Sequence, residues 1–182
     1  MNSTLSRPRI YLAGPDVFFP QSRQVFDGLR ATCDRLGLAG IEPSDGGLAE
    51  GFTGSDEALA QRIYDGNIAL IRSADGVIAN LVNFRGHEPD SGTVFEVGFA
   101  RALGKPVVAY GVAEDSYADR VGRTIPCALD SQGVTREIAS GAMVEGLGQR
   151  LNLMLTRSVD IAPSSAAALA QLAVLLRASQ RP

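Results

Sequence analysis

The sequence predicts an α/β fold: a flavodoxin-like open parallel sheet of about five strands, with helices on both faces. Three observations carry this. Short apolar segments alternate with longer segments of helical period along the chain. One of them, Gly76–Leu81 (GVIANL), is apolar at nearly every position, as a strand buried on both faces must be. Glycine and proline close the segments where chain reversals are needed.

In order, Arg9–Ala13 (RIYLA) reads as the first strand, ended by Gly14-Pro15. Ser22–Leu36 reads as a helix with Val25, Leu29, Cys33 and Leu36 on its apolar face and Gly37 as its stop. A short strand at Ala39–Ile41 leads into a long glycine-containing loop, Glu42–Gly54, of the kind that usually serves function. A second helix spans Asp56–Ser73, with Leu59, Ile63, Leu70 and Ile71 expected to face inward. After the third strand comes a polar loop, then a helix beginning at Ser91 or Gly92, with Ser91 read as its N-cap. Gly104, Lys105 and Pro106 stop it. Pro106–Tyr110 (PVVAY) is the fourth strand. Signals are weak from Gly111 to Gly141, a fifth strand is expected near Ala142–Val144, and a terminal helix spans Ser165–Ala178 with Leu169, Leu172, Leu175 and Leu176 on one side.

The chain is expected to form one domain over residues 1–182, with 156–182 as a C-terminal helical tail. A net charge of −3 offers no field for a nucleic acid polymer or an anionic membrane. No leader or bilayer-spanning run is visible, and Cys33 and Cys127 lack motif spacing, so a cytoplasmic location is expected. His87 is the lone histidine, which argues against a transition-metal site. Neither G-x-G-x-x-G after the first strand nor a G-x-x-x-x-G-K-[ST] loop occurs, so no dinucleotide or P-loop site is expected.

The anomaly is Glu96. Its helix is apolar or small on every side, which predicts burial, and Glu96 shares a stripe with Gly92, Ala100 and Leu103. It is either a structural carboxylate paired with Arg101, Arg85 or Lys105, or a catalytic one at the carboxyl end of the sheet. In the second case the helix dipole favours its ionised form and Asp90 converges on the same ligand.

Four segments in order, Tyr11-Leu12-Ala13-Gly14-Pro15, Phe84 to Thr93 (FRGHEPDSGT), Glu96-Val97-Gly98 and Asn152-Leu153-Met154-Leu155, resemble the nucleoside 2-deoxyribosyltransferases. The resemblance covers about Arg9 to Leu155. It implies that Glu96 attacks the anomeric carbon of a deoxynucleoside, forms a covalent deoxyribosyl ester, and passes the sugar to an acceptor base. It also implies that Tyr11 orients the nucleophile and that Asp90 binds the sugar hydroxyls. The resemblance further implies that Asn152 and Met154 are contributed by a neighbouring subunit, with Asn152 reaching the 5′-hydroxyl, making the protein a homo-oligomer, at least a dimer. By the same resemblance no metal or organic cofactor is needed, and the partners are a deoxynucleoside and a free nucleobase. Gly14, Phe18 and Gly92 are taken as substrate-binding residues.

Each of these residues also has an ordinary reading. Tyr11 could be a core aromatic with a satisfied hydroxyl, Asp90 a helix-start carboxylate or turn former, Asn152 a turn or surface residue, and Met154 plain core. One position departs from the family: eight residues before Asp75 stands Asn67, where the best-known bacterial transferases carry an aspartate. Asparagine can hydrogen-bond a base or the nucleophile but cannot protonate a leaving base, so Asn67 keeps a catalytic place without being the acid, which leaves Asp16 and Asp45 as candidate acids. Asp75 itself reads as structural. The alternatives are a 2′-deoxynucleoside 5′-phosphate N-hydrolase, a deoxynucleoside hydrolase, and a nucleoside-binding sensor without turnover.

Overall fold

A computed structural model of the chain describes residues 6–43 and 51–179. Strands β1 (Arg9–Ala13), β2 (Ala39–Ile41), β3 (Gly76–Asn80), β4 (Val107–Tyr110) and β7 (Asp160–Ile161) form one parallel sheet in the order β2-β1-β3-β4-β7. Among those five strands this is the 2-1-3-4-5 order of flavodoxin-like sheets. Helices α1 (Ser22–Arg35), α2 (Asp56–Ser73), α3 (Ser91–Ala102), α5 (Leu153–Ser158) and α6 (Ser165–Ser179) cover its two faces.

The two-residue alternation of strand side chains divides the core in two. Ile10, Leu12, Ile78 and Val108 point to α1 and α6, where Phe26, Cys33, Leu169 and Leu172 meet them. Tyr11, Ala13, Val77 and Ala79 point the other way, against Ile71 of α2, Val97 and Ala100 of α3, and Leu155 of α5. That parity aims Tyr11 at α3. On the opposite face α6 packs on β3, β4 and α1, with Leu169 and Leu172 fully buried. Leu172→Ala is therefore expected to cost about 3 kcal/mol of stability, read as a lower urea midpoint. A loss too small to measure would mean that α6 is dispensable to the core.

Several elements differ from the sequence expectation. The fifth strand is β7, not Ala142–Val144, where Met143 makes only an isolated bridge to Arg136. Helix α4 (Tyr117–Thr124) and the antiparallel pair β5 (Cys127–Leu129) and β6 (Thr135–Glu137) fill the region of weak signals. On α1 the inward residue is Phe26, while Val25 is exposed, because a one-residue step turns a helical side chain by about 100°. Of the four residues expected to face inward from α2, only Ile71 is fully buried.

Helix α3 is capped by Asp90 rather than Ser91: the Asp90 carboxylate accepts the Thr93 N–H at 2.8 Å. A carboxylate at the positive end of the helix dipole is the stronger cap. Nor is α3 buried all round, since half of Phe95 is exposed and stacks beside Phe99. Gly104, at φ 72°, takes the left-handed stop that only a glycine adopts without strain. Asp75 is structural, its carboxylate accepting the Arg9 N–H at 2.7 Å and so pinning the start of β1.

Candidate active site

At the carboxyl ends of β1 and β3 the chain brings two fixed groups together. Tyr11, fully buried, donates its hydroxyl to Glu96 Oε1 at 2.5 Å. Burial pushes the Glu96 carboxyl up to about 7, the nearby Asp90 charge adds to the rise, and the Tyr11 bond opposes it. The cations weighed as structural partners point elsewhere. Arg101 reaches the Lys105 carbonyl, Lys105 caps the end of α2 through the Arg72 and Ala74 carbonyls, and Arg85 lies over the Phe84 ring. Among the described residues, none of the ion pairs includes Glu96.

Glu96 opens onto a cavity of about 330 Å³ whose walls include Gly14, Phe18, Asn67, Asp90 and Gly92. The rest of the wall is mainly apolar, from Val17, Ile63 and Pro43. An adjoining hollow of about 160 Å³ shares Asn67, Gly92 and Glu96 and runs along Tyr64 and Phe95. Such a space, apolar with a few convergent carboxylates, suits a small ligand with a flat apolar part and a polyhydroxylated part. Both hydrogen bonds from Thr93, N–H at 2.8 Å and hydroxyl at 3.0 Å, fall on Asp90 Oδ2. Phe18, 60% exposed at the rim, stacks on Phe84 with centroids 5.5 Å apart.

The remaining predicted residues divide. Asp16 does not line the cavity; its Oδ2 accepts from Asn80 Nδ2 at 3.0 Å. A side chain at Gly14 would have its Cβ 2.7 Å from that oxygen and 2.8 Å from Asn80 Cβ, so the turn after β1 closes only with glycine. Asp45 lies outside the described residues. Asn152 and Met154 line a separate cavity of about 460 Å³, with Glu88, Ser91, Val94 and Gly98. It shares no residue with the Glu96 cavity. On the helical wheel Val94 and Gly98 project from the side of α3 opposite Glu96. Met154 is 71% exposed and so is not core. Among the described residues no cluster of His, Cys, Asp or Glu suits a metal ion, and no helix is long and apolar enough to cross a membrane.

The family model described as nucleoside 2-deoxyribosyltransferase matches residues 10–154. The chain belongs to this family. A solved 2-desoxiribosyltransferase from Leishmania mexicana superposes with a TM-score of 0.73 at 32% identity, covering 92% of this chain and 97% of that one. A conserved protein from Enterococcus faecalis, 18% identical with a TM-score of 0.54 over 91% of this chain and 97% of its own, shares the fold. An uncharacterized protein of Schizosaccharomyces pombe is 34% identical over 117 residues, 63% of this chain. That match spans 54% of the yeast protein's length.

Within the deoxyribosyltransferase frame, two residues that support the site from behind its wall had no assigned role in the sequence reading: Asn80, which holds Asp16, and Phe84, which backs Phe18. Asn80 carried a signal, a polar residue ending an apolar strand at the carboxyl edge of the sheet. Phe84 was visible only as part of a motif, and its contact with Phe18 needs the fold.

Proposed function

We propose that the protein transfers the 2-deoxyribosyl group of a deoxynucleoside to an acceptor base through an ester on Glu96. The observation that carries this is Glu96 itself: a desolvated carboxylate that forms no ion pair among the described residues, bonded by the Tyr11 hydroxyl beside an apolar cavity that Asp90 also lines. In the first step a Glu96 oxygen bonds to C1′ as the bond from C1′ to the base nitrogen breaks, its electron pair leaving with the base. In the second, a nitrogen of the acceptor base bonds to C1′, the ester bond returns its pair to Glu96, and the acceptor's N–H proton passes through solvent to the departed base anion. Two inversions give net retention. Tyr11 holds Oε1, which leaves Oε2 for the sugar. The carboxylate also stabilises the oxocarbenium-like charge at C1′.

Asp90 binds the sugar hydroxyls through Oδ1, since Oδ2 is engaged by Thr93. Phe18 stacks on the base at the rim. Asn67, having no acidic proton, serves the base by hydrogen bonding alone. Asn152 and Met154 serve the pocket of a neighbouring subunit, a reading supported by their place behind α3 from their own Glu96. No metal or organic cofactor takes part in these steps. Incubation with deoxyinosine and adenine tests the proposal. Deoxyadenosine is expected; free deoxyribose alone would make the protein a hydrolase, and no change would make it a binder.

Asp90 also argues for the unphosphorylated nucleoside, because a carboxylate repels a phosphate dianion. Asp90→Ser keeps a capping oxygen for α3 and adds a donor. It should weaken deoxynucleosides and raise the relative kcat/KM of their 5′-phosphates. A wild type that already prefers the 5′-phosphate would assign the chain to phosphate-directed hydrolysis instead.

A further inference from the structure

Asn152 stands at the start of α5 with both ends of its carboxamide engaged. Its Oδ1 accepts the Met154 N–H at 2.9 Å, capping the helix, and its Nδ2 donates to Glu145 Oε2 at 3.1 Å. The other oxygen of the same carboxylate, Glu145 Oε1, accepts the Leu153 N–H at 2.6 Å. An ionised carboxylate only accepts and a backbone N–H only donates, so these partners allow one orientation of the amide and forbid its flip. Among the described residues the second N–H of Nδ2 has no partner, and its direction is set by Glu145.

The clamp has firm supports. Glu145 follows Val144 and Asn152 follows Leu151, both buried, so each partner is anchored at its own end of the loop. Arg120, 6% exposed, donates to the carbonyls of Asp115 and Arg150 at 2.8 Å each and ties α4 to the same loop.

We propose that Glu145 is a positioning residue for sugar recognition: it fixes the Asn152 carboxamide so that its free N–H meets the 5′-hydroxyl of a nucleoside bound in the neighbouring subunit. This rests on the reading of Asn152 given above. Gln is isosteric with Glu but cannot accept two hydrogen bonds with its two ends, so Glu145→Gln breaks one arm of the clamp while filling the same space.

The test compares deoxyadenosine with 2′,5′-dideoxyadenosine as donors, in the wild type, Glu145→Gln, Glu145→Ala and Asn152→Ala. Both Glu145 variants are expected to raise KM for deoxyadenosine about tenfold, the effect of one well-placed hydrogen bond, with kcat within twofold. KM for the 5′-deoxy donor should not move. Adding Glu145→Gln to Asn152→Ala should cause no further loss. Equal losses on both donors, a lowered Tm as the only change, additive losses, or no change would each overturn the proposal. A wild type that treats the two donors alike would overturn it together with the role of Asn152. If the wild type transfers no sugar, the transferase reading fails by itself, and calorimetric Kd values for the same two nucleosides then decide the clamp by the same ratios.

Discussion

Glu96→Gln is expected to lower kcat by about 10⁴-fold or more, because the other carboxylate at the cavity, Asp90, is held by Thr93 as the cap of α3. The variant should still bind a deoxynucleoside, since Asp90 and the apolar wall remain. In the wild type, kcat/KM should rise about tenfold per pH unit and level off near 7, where the buried carboxyl loses its proton. A flat profile from pH 5 to 8 would remove this carboxyl from the rate-determining chemistry. Stability should change in the opposite sense. Folded Glu96 keeps its proton up to about 7, whereas the unfolded group loses it near 4.5. Between those values the folded state holds more protons, so wild-type stability falls as pH rises through the window. Glu96→Gln cannot ionise and should be more stable above pH 7 by about 2 kcal/mol, allowing for partial exposure, with no gain below pH 4.5. Thermal melts of both proteins across that range check it. A near-wild-type turnover in the variant would end the covalent mechanism.

Transfer at donor concentrations well below KM should recover when two impaired subunits are combined. Co-expressed Glu96→Ala and Asn152→Ala chains that pair at random give mixed dimers in about half the population. In each mixed dimer one pocket has both wild-type residues and the other has neither. About a quarter of wild-type kcat/KM is therefore expected, against almost none for the Glu96→Ala parent and about a tenth for the Asn152→Ala parent. The geometry motivates the experiment, because α3 stands between Asn152 and the Glu96 of its own chain. Co-expression avoids the need for an assembled interface to reopen. A fully active monomer, or mixed assemblies no better than their parents, would return the site to a single chain.

How much of this was legible depended on how far each signal reaches along the chain. Helix α2 spans Asp56–Ser73 as read, because Ser55 caps it locally, its oxygen accepting the Ala58 N–H. Helix α3 starts at Ser91, one of the two starts expected, but its cap is one residue earlier, because Ser91 and Asp90 are both capping types and only the fold shows which side chain reaches Thr93. Strand β7 is two residues long, Asp160–Ile161, and owes its existence to pairing with Val108 and Ala109. Too short to show a period, it could not be read in advance. The hairpin of β5 and β6 escaped for a related reason: Leu129 is 70% exposed, so no face of it is consistently apolar.

The sequence by itself determined the alternation of strands and helices, the buried third strand, and the oddity of a carboxylate in an apolar helix. These are local patterns of period and composition, and they persist in any fold that buries the apolar positions. Only the tertiary structure decided what Glu96 touches. Tyr11 is 85 residues away, and the two meet because strand parity turns Tyr11 toward α3 at 2.5 Å while Arg85, Arg101 and Lys105 are drawn to other partners. It likewise decided that Asn152 lies behind α3 and is held by Glu145, which no motif marked. Those contacts follow from packing between distant elements, and a carboxylate's partner is set by distance in space rather than by spacing in the chain.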